Sequence, residues 1–595
     1  MKRVYPFIYF AFSFIFLFFG FHLKDFWRLS IVLGLGIISV RLVLSFKKKF
    51  QGADLLALIS LLGAFYIGEF FAGAVITLML SSGGLLEAWA EGRASNELKS
   101  LLSRVPSLAA YYTPNGILKE INVKDVKVGM ELQVRVGEIV PTDGFLIESA
   151  SLDESSLTGE SVIVERVEGG LVRSGVVNAG ESFRYRVSKS ADDSTYWAIV
   201  KLVKEALASS STGVELANKL AISFIPFVFL ACIITWMLTG SSERVVAVLV
   251  AATPCPLILA VPIALVAGLS RAAKLGVIIK GGSALENLAK SQVVILDKTG
   301  TLTRGGPRVS GVEVREGYSI TEVLAFAGSV ESYSKHSVAK NIVKEVLLRG
   351  IELYRTSNVV EKVGQEITGE VDFNGSKLLV NVGRFREANL NDNIFSDGVK
   401  VKVEVNGEIV GVITMDDPVR TEAKKFILDL KSFGIERIIL LTGDHQEVAN
   451  KVAAEVGIEE VFSDVTPEGK LAITKNLMES GKRVLVVGDG INDAPMLAMS
   501  NVGVAMGFAG SSAASEAADV VVVEDSIYKV MDGVKLAIMV RSKAIEASVG
   551  GMLLSVILMF LGGSGIVSAG GAALGQEFID LLAIGWALTA LKAKI

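Results

Sequence analysis

Apolar and polar positions fall into long blocks along this chain, and the apolar blocks are of membrane-spanning size. Val4 to Phe21 and Phe26 to Phe46 are apolar segments of about 20 residues each, and the basic cluster Lys47-Lys48-Lys49 follows the second. Ala53 to Ala90 accommodates two more spans around a tight turn near Gly68-Glu69, which puts Glu69 at a membrane edge. Lys219 to Leu238, Arg244 to Leu269, Ile545 to Leu561 and Ala569 to Leu591 complete a predicted set of eight. An even number of spans puts both termini on one side, where Lys2, Arg3, Lys47 to Lys49, Lys592 and Lys594 follow the positive-inside rule while Lys24 and Arg28 run mildly against it. The polar blocks have a different texture. Arg93 to about Leu207 alternates with period two around turn residues, as in Val134 to Gly144, and predicts a small β domain. From Lys274 to about residue 530, short apolar runs alternate with helical patterns and predict a doubly wound parallel sheet.

Composition agrees with a chain part-buried in lipid: 51% of its 595 residues are hydrophobic and mean hydropathy is +0.51. A net charge of −4 removes any case for nucleic-acid binding. Two cysteines, Cys232 and Cys255, exclude both a disulfide framework and a Cys-x-x-Cys metal module. No small-residue cleavage site follows the first apolar run, which therefore reads as a retained span rather than a signal peptide.

Chemistry concentrates where apolar runs end. Val293-Val294-Ile295-Leu296 reads as a buried strand, and Asp297-Lys298-Thr299-Gly300-Thr301-Leu302-Thr303 follows it. A carboxylate at a strand's carboxyl end, followed by a cation, hydroxyls and a flexible glycine, suits phosphorylation of Asp297 with Mg²⁺ nearby. Three later stretches sit at equivalent positions: Thr442-Gly443-Asp444, Thr466 to Lys470, and Gly488-Asp489-Gly490-Ile491-Asn492-Asp493. Asp489 is expected to share Mg²⁺ with Asp297 and Thr299, Lys470 to neutralise phosphoryl oxygens, Thr442 to hydrogen-bond them, and Asn492 and Asp493 to support the metal. In the sixth span, Thr253-Pro254-Cys255-Pro256 breaks the helix and frees backbone carbonyls beside a thiol, a candidate cation site. The last span carries Gln576, Glu577 and Asp580; the i, i+3 spacing is expected to set both carboxylates on one face, with Asp580 the deeper ligand candidate and Glu577 alternatively at the outer interface. Met552 and Met559 read as packing residues.

The heptapeptide at Asp297, with its partners in this order, resembles the phosphorylation signature of P-type ATPases and their haloacid-dehalogenase-like domain. The resemblance covers nearly the whole chain. It implies an actuator domain over 92–208, where Thr158, Gly159 and Glu160 match the loop whose glutamate positions the hydrolytic water, and where Pro141-Thr142-Asp143-Gly144 matches a turn. It implies spans in 1–91, 209–273 and 531–595, a phosphorylation domain in 274–304 and 412–530, and a nucleotide-binding domain in 305–411. The expected class is thus a multidomain α+β membrane protein: an eight-helix transmembrane bundle, a β-rich actuator, a doubly wound α/β phosphorylation domain and an inserted α+β nucleotide domain. For ATP the resemblance points to Glu331, His336, Gly364 and Gly369, and to Asp417 and Arg420 near the hinge; the pair after Glu331 is His336-Ser337, and Glu366 replaces the middle glycine of the glycine run. Two spans before the usual six, and a Pro-Cys at the break, resemble the heavy-metal branch, without an N-terminal metal-binding domain and with Thr253 in place of that branch's first cysteine. The implied activity is export of a transition metal by a monomer in a prokaryotic-type plasma membrane, with ATP and Mg²⁺ used on the cytoplasmic side. One thiolate, one hydroxyl and one carboxylate favour a divalent Zn, Co, Ni or Fe ion; Cys232 as a second sulfur would turn the reading to copper(I). A proton or alkali-cation pump and a membrane-anchored phosphatase are the competing readings.

Overall fold

The computed structural model describes residues 5–45, 52–103, 106, 108–113, 115, 117–154, 163–195, 197, 201, 212–253, 255–306, 308–334, 336–362, 366–385, 399–489, 493–507 and 513–592. Helices stand at all eight apolar segments. They are α1 (Tyr5–Phe19), α2 (Asp25–Ser45), α3 (Gly52–Ile67), α4 (Phe70–Ser103), α5 (Thr212–Thr239), a broken sixth made of α6 (Ser242–Ala251) and α7 (Cys255–Lys274), then α8 (Tyr528–Ser564) and α9 (Ala569–Leu588). Within this set Ser242–Lys274, Tyr528–Ser564 and Ala569–Lys592 are long and apolar enough to cross a membrane. Phe7, Phe18, Met237, Leu238, Phe560 and Phe578 are each more than half exposed, an apolar belt that suits contact with acyl chains rather than water. The turn predicted near Gly68-Glu69 separates α3 from α4, with Gly68 at φ +87°. Cys232 and Met559 are buried in the apolar cluster shared by Val228, Val246 and Ala252.

Three sheet-based units stand outside the helices. Residues 108–187 form an antiparallel six-stranded sheet beside a three-stranded one. The turn at Asp143 is fixed because its buried carboxylate accepts bonds from Ser174 N and Oγ (2.8 and 2.9 Å) and from Thr195 Oγ1 (2.8 Å).

The second unit is the predicted doubly wound sheet. In spatial order its strands are Val277–Ile279, Val520–Val522, Val502–Ala505, Val484–Gly488, Val293–Leu296, Arg437–Leu441 and Glu460–Phe462. All neighbours are parallel except the first pair. Val293 to Leu296 are fully buried, as expected of a central strand covered on both faces. The chain leaves this strand towards Arg437–Leu441 on one side and returns through Val484–Gly488 on the other. Asp297 therefore lies at a switch point, where the two flanking loops part and leave a crevice.

The third unit is an antiparallel sheet of six strands with two helices, Ile320–Glu331 and Ser337–Leu348. Here one expectation fails. The expected return to the phosphorylation domain at 412 does not hold: Gly411 to Thr414 lies in strand Glu408–Asp416, which pairs with Arg308–Val314 and Val399–Val405 in the inserted unit. An apolar strand carries no local mark of which sheet it joins, and the long-range partner at Arg308–Val314 decides.

Candidate functional site

The Asp297 crevice is assembled from strand ends. Leu296 pairs with Val487 and Leu440 in neighbouring strands, so Asp297 stands level with the residues that follow each of them. Its carboxylate accepts a bond from Lys470 Nζ at 2.5 Å, and the same ammonium reaches Asp493 at 3.1 Å. Lys470 is held at the first turn of helix Pro467–Glu479, whose N-cap Thr466 accepts from Gly469 N. Asp297, Asp489 and Asp493 bring carboxylate oxygens within 4.8 Å of one another. On the far side Lys298 Nζ meets Asp444 at 2.5 Å, and Thr442 Oγ1 accepts from Asp444 N at 3.1 Å. A cavity of about 320 Å³ opens between these groups, lined also by Thr299 and Gly443.

Gly300 makes this closeness possible. Its φ is +73°, and a Cβ there would lie 1.4 Å from Asp489 Oδ2. Burial, reinforced by Asp493 and opposed by Lys470, pushes the Asp297 carboxyl up to about 6, and burial with Asp493 does the same to Asp489. Burial alone would lower Lys470; Asp297 and Asp493 outweigh it and hold the ammonium charged. Three hard carboxylates beside one cation are short of positive charge, and that oxygen-rich set fits Mg²⁺.

Asp417 and Arg420 sit against this crevice and are not among the residues lining the inserted unit's cavity. Asp417 accepts from Thr303 Oγ1 at 2.7 Å. Arg420, 3% exposed, donates to the carbonyls of Gly300, Thr301 and Thr303 and to both the carbonyl and the carboxylate of Asp525. Its guanidinium is spent on shaping the loop after Asp297. Asp525, just ahead of α8, was not identifiable from the sequence.

The inserted unit holds a separate cavity of about 360 Å³ lined by Glu331, Ser334, His336, Glu361, Lys362 and Arg384 among others. Burial, with Glu361 adding repulsion, raises Glu331 to about 7. His336 caps helix Ser337–Leu348 by accepting Val338 N at Nδ1, 3.3 Å, which leaves the proton on Nε2. Glu366 lines the cavity as well, bonded to Lys362 at 2.6 Å. Gly369 does not: its missing side chain makes room for Thr356 and Val359 within the sheet. Gly364 lies outside the described residues, as do Asn492 and the actuator triad Thr158, Gly159 and Glu160.

In the helical bundle, the break between α6 and α7 falls at Ala252 and Thr253. Proline at 254 has no N–H for the carbonyl of Val250, and the Thr253 hydroxyl donates to that carbonyl at 3.2 Å. Thr253 O accepts instead from Gln576 Nε2 at 3.3 Å, and Gln576 Nε2 also donates to Asp580 Oδ1 at 3.2 Å. Thr253, Gln576 and Asp580 thus meet at the break; the Cys255 side chain is not among those described. Glu577 does not join them. Its carboxylate accepts from Ser82 of α4 at 2.7 Å. Three residues turn a helix by 300°, so Glu577 and Asp580 are offset by about 60°, enough to reach different neighbours in a bundle.

Comparison with known proteins agrees with this anatomy. Residues 292–501 match the haloacid dehalogenase-like hydrolase family and residues 104–204 the P-type ATPase actuator domain. The chain is 32% identical over 510 residues to a zinc-transporting ATPase of Bacillus subtilis (strain 168), covering 82% of this chain and 79% of that one. It is 34% identical over 497 residues to copper-transporting ATPase 1 of Rhizobium meliloti (strain 1021), covering 78% of this chain but only 58% of the relative's length. A crystal structure of a zinc-transporting PIB-type ATPase in an E2.Pi state superposes with a TM-score of 0.64 at 26% identity, covering 98% of this chain and 99% of the other.

Proposed function

The chain belongs to the heavy-metal branch of the P-type ATPases, and from that premise we propose that it couples ATP hydrolysis to export of a divalent transition-metal ion. The observation that carries the reading is the buried Asp297 carboxylate, bonded to Lys470 and facing Asp489 and Asp493 within one crevice. Asp297 attacks the γ-phosphorus of ATP; its O–P bond forms as the bond to ADP breaks. Lys470 balances the phosphoryl charge, while Thr442 borders the space the phosphoryl group takes. Asp297 and Asp489, with Asn492, Asp493 and Thr299 in support, would hold Mg²⁺, which would supply further charge neutralisation when bound. Water later cleaves the acyl phosphate, the step for which the family resemblance nominates Glu160 with Thr158 and Gly159. ATP takes the cavity of Glu331 and His336, a site supported by its volume of about 360 Å³ and by the two residues the resemblance points to.

The cargo reading rests on donor chemistry. Oxygen from Thr253 and Asp580, with the thiol of Cys255, makes a borderline set suited to Zn²⁺, Co²⁺, Ni²⁺ or Fe²⁺ rather than to copper(I). Cys232 lies among apolar side chains, which weakens the copper alternative. Glu577 pairs with α4 and is assigned no direct contact with the ion. The protein works as a monomer in a prokaryotic-type plasma membrane with its sheet units cytoplasmic. ATPase activity of the purified protein against a panel of buffered metals tests the cargo: a divalent ion stimulates the wild type, and Cys255→Ser loses that stimulation. Stimulation that survives the substitution refutes the thiol's role.

A further inference from the structure

Gln576 was not needed to explain phosphorylation, yet it is fully buried and bonded to the helix break, to α8 and to its own helix α9. Its amide nitrogen donates to two oxygens of the candidate cation site, Thr253 O at 3.3 Å and Asp580 Oδ1 at 3.2 Å. One is a backbone carbonyl at the helix break and the other a carboxylate on α9. Its amide oxygen accepts from Ser555 Oγ of α8 at 3.1 Å, and that hydroxyl is also 3.1 Å from Gly551 O. A serine has one hydroxyl hydrogen for these two acceptors, so Ser555 keeps a partner if Gln576 leaves. Gly551 is where α8 meets the break: a Cβ there would come within 2.4 Å of Pro256 Cβ. The amide is therefore wedged at the junction of the three helices, on the oxygens a cation would use, and held by a bond that is easily surrendered.

We propose that Gln576 is an internal stand-in for the transported cation: its amide N–H groups occupy Thr253 O and Asp580 in the metal-free protein, and an entering ion displaces them. A neutral amide satisfies both oxygens without contributing a charge that the ion must overcome. When the ion departs outward, the amide returns to the same oxygens and helps to expel it. Gln576 is thus a positioning residue that sets metal affinity from the unliganded side. The inference rests on the transport reading above.

The test is metal-stimulated ATPase of the full-length purified protein, comparing wild type with Gln576→Met, which keeps the volume but offers no donor. Losing a competitor worth one or two hydrogen bonds lowers the half-activating metal concentration by roughly 3- to 10-fold. Turnover at saturating metal falls in the same variant, because release is no longer assisted. Gln576→Asn, whose amide is one methylene too short to span both oxygens, moves both quantities in the same directions. A half-activating concentration that is unchanged or raised overturns the proposal. If Gln576→Met does not fold, Ser555→Ala carries the test through a distinct expectation: the amide loses its tether and is displaced more easily, so half-activation falls by a smaller factor, and no fall counts against the proposal. A wild type that no metal stimulates defeats the transport reading and this inference together, whereas a stimulated wild type with unshifted variants defeats this inference alone.

Discussion

The Asp297 crevice and the helix break at Thr253 are both built where regular structure stops, but by opposite electrostatic means. The crevice gathers Asp297, Asp489, Asp493 and Asp444 around Lys470 and Lys298, all fixed by the ends of parallel strands and the helix starts beside them. The break is governed by neutral dipoles, namely Thr253 O, the Gln576 amide and Ser555 Oγ, around one carboxylate. A crevice so crowded with carboxylates suits Mg²⁺, and it is Lys470, not the carboxylates, that favours phosphoryl charge there. A site held by exchangeable hydrogen bonds between separate helices is suited to being opened and closed. On the proposed reading a firmly held crevice does the chemistry and a softer break carries the cargo, and coupling requires that the break bind its ion differently in two conformations.

The sharpest way to break the comparison is to empty the crevice of its nucleophile. Asp297→Asn keeps the shape and removes the attacking oxygen; ATP turnover is expected to fall by at least about 10³-fold, to the assay background. Residual metal transport in that protein would show that the crevice does not drive the pump. Next in size is Asp580→Asn. It is expected to raise half-activating metal by roughly 10- to 100-fold, as loss of the site's one described carboxylate implies. Phosphorylation of Asp297 by inorganic phosphate, which requires no bound cargo, should persist. If both reactions fail together, the two sites are not separable in the way described.

Arg420→Ala probes what makes the crevice rigid. The substitution strips the carbonyls of Gly300, Thr301 and Thr303 of a buried donor and should cost on the order of 3 kcal/mol of stability, with a fall of about 10-fold or more in phosphoenzyme formation. ATP affinity is the discriminating readout: it stays within about twofold if Arg420 shapes the loop, and weakens with it if Arg420 binds nucleotide.

A smaller effect concerns pH. Glu331 rises from 4.5 to about 7 in the folded protein through burial and then Glu361. The folded state keeps this proton across a range in which the unfolded chain has lost it, so stability falls as pH rises through that window. Between about pH 5 and about pH 8 the loss is on the order of 3 kcal/mol at most. Calorimetry of Glu331→Gln should give a transition for the inserted unit with a flatter pH dependence than that of the wild type. An unchanged slope assigns the effect elsewhere.

The two regions also differ in how far they can be read from sequence. Asp297, Thr442 and Asp489 were legible because each follows an apolar strand directly and inherits its place from the sheet, and Lys470 because Thr466-Pro467 marks the start of the helix that carries it. The break was legible because prolines at 254 and 256 mark it covalently. What escaped notice depended on partners far away in the chain. Gly411 to Thr414 looks like any apolar strand until Arg308–Val314 claims it. Arg420 carries a motif that resembles a nucleotide contact, yet its side chain turns to carbonyls more than a hundred positions earlier. Glu577 and Asp580 share a face on a helical wheel, while Glu577 bonds to Ser82 of α4 and Asp580 to Gln576 of its own helix. Gln576 had only one signal, an uncharged amide inside a span, and its use depends on Thr253 and Ser555 together.

The most direct test of the account is phosphorylation of the purified chain by γ-labelled ATP with Mg²⁺, with and without buffered divalent transition metal. The account predicts an acid-stable, hydroxylamine-labile acyl phosphate that forms when the metal is present and is absent from Asp297→Asn. A label that appears without dependence on any metal, or that persists in Asp297→Asn, would contradict it.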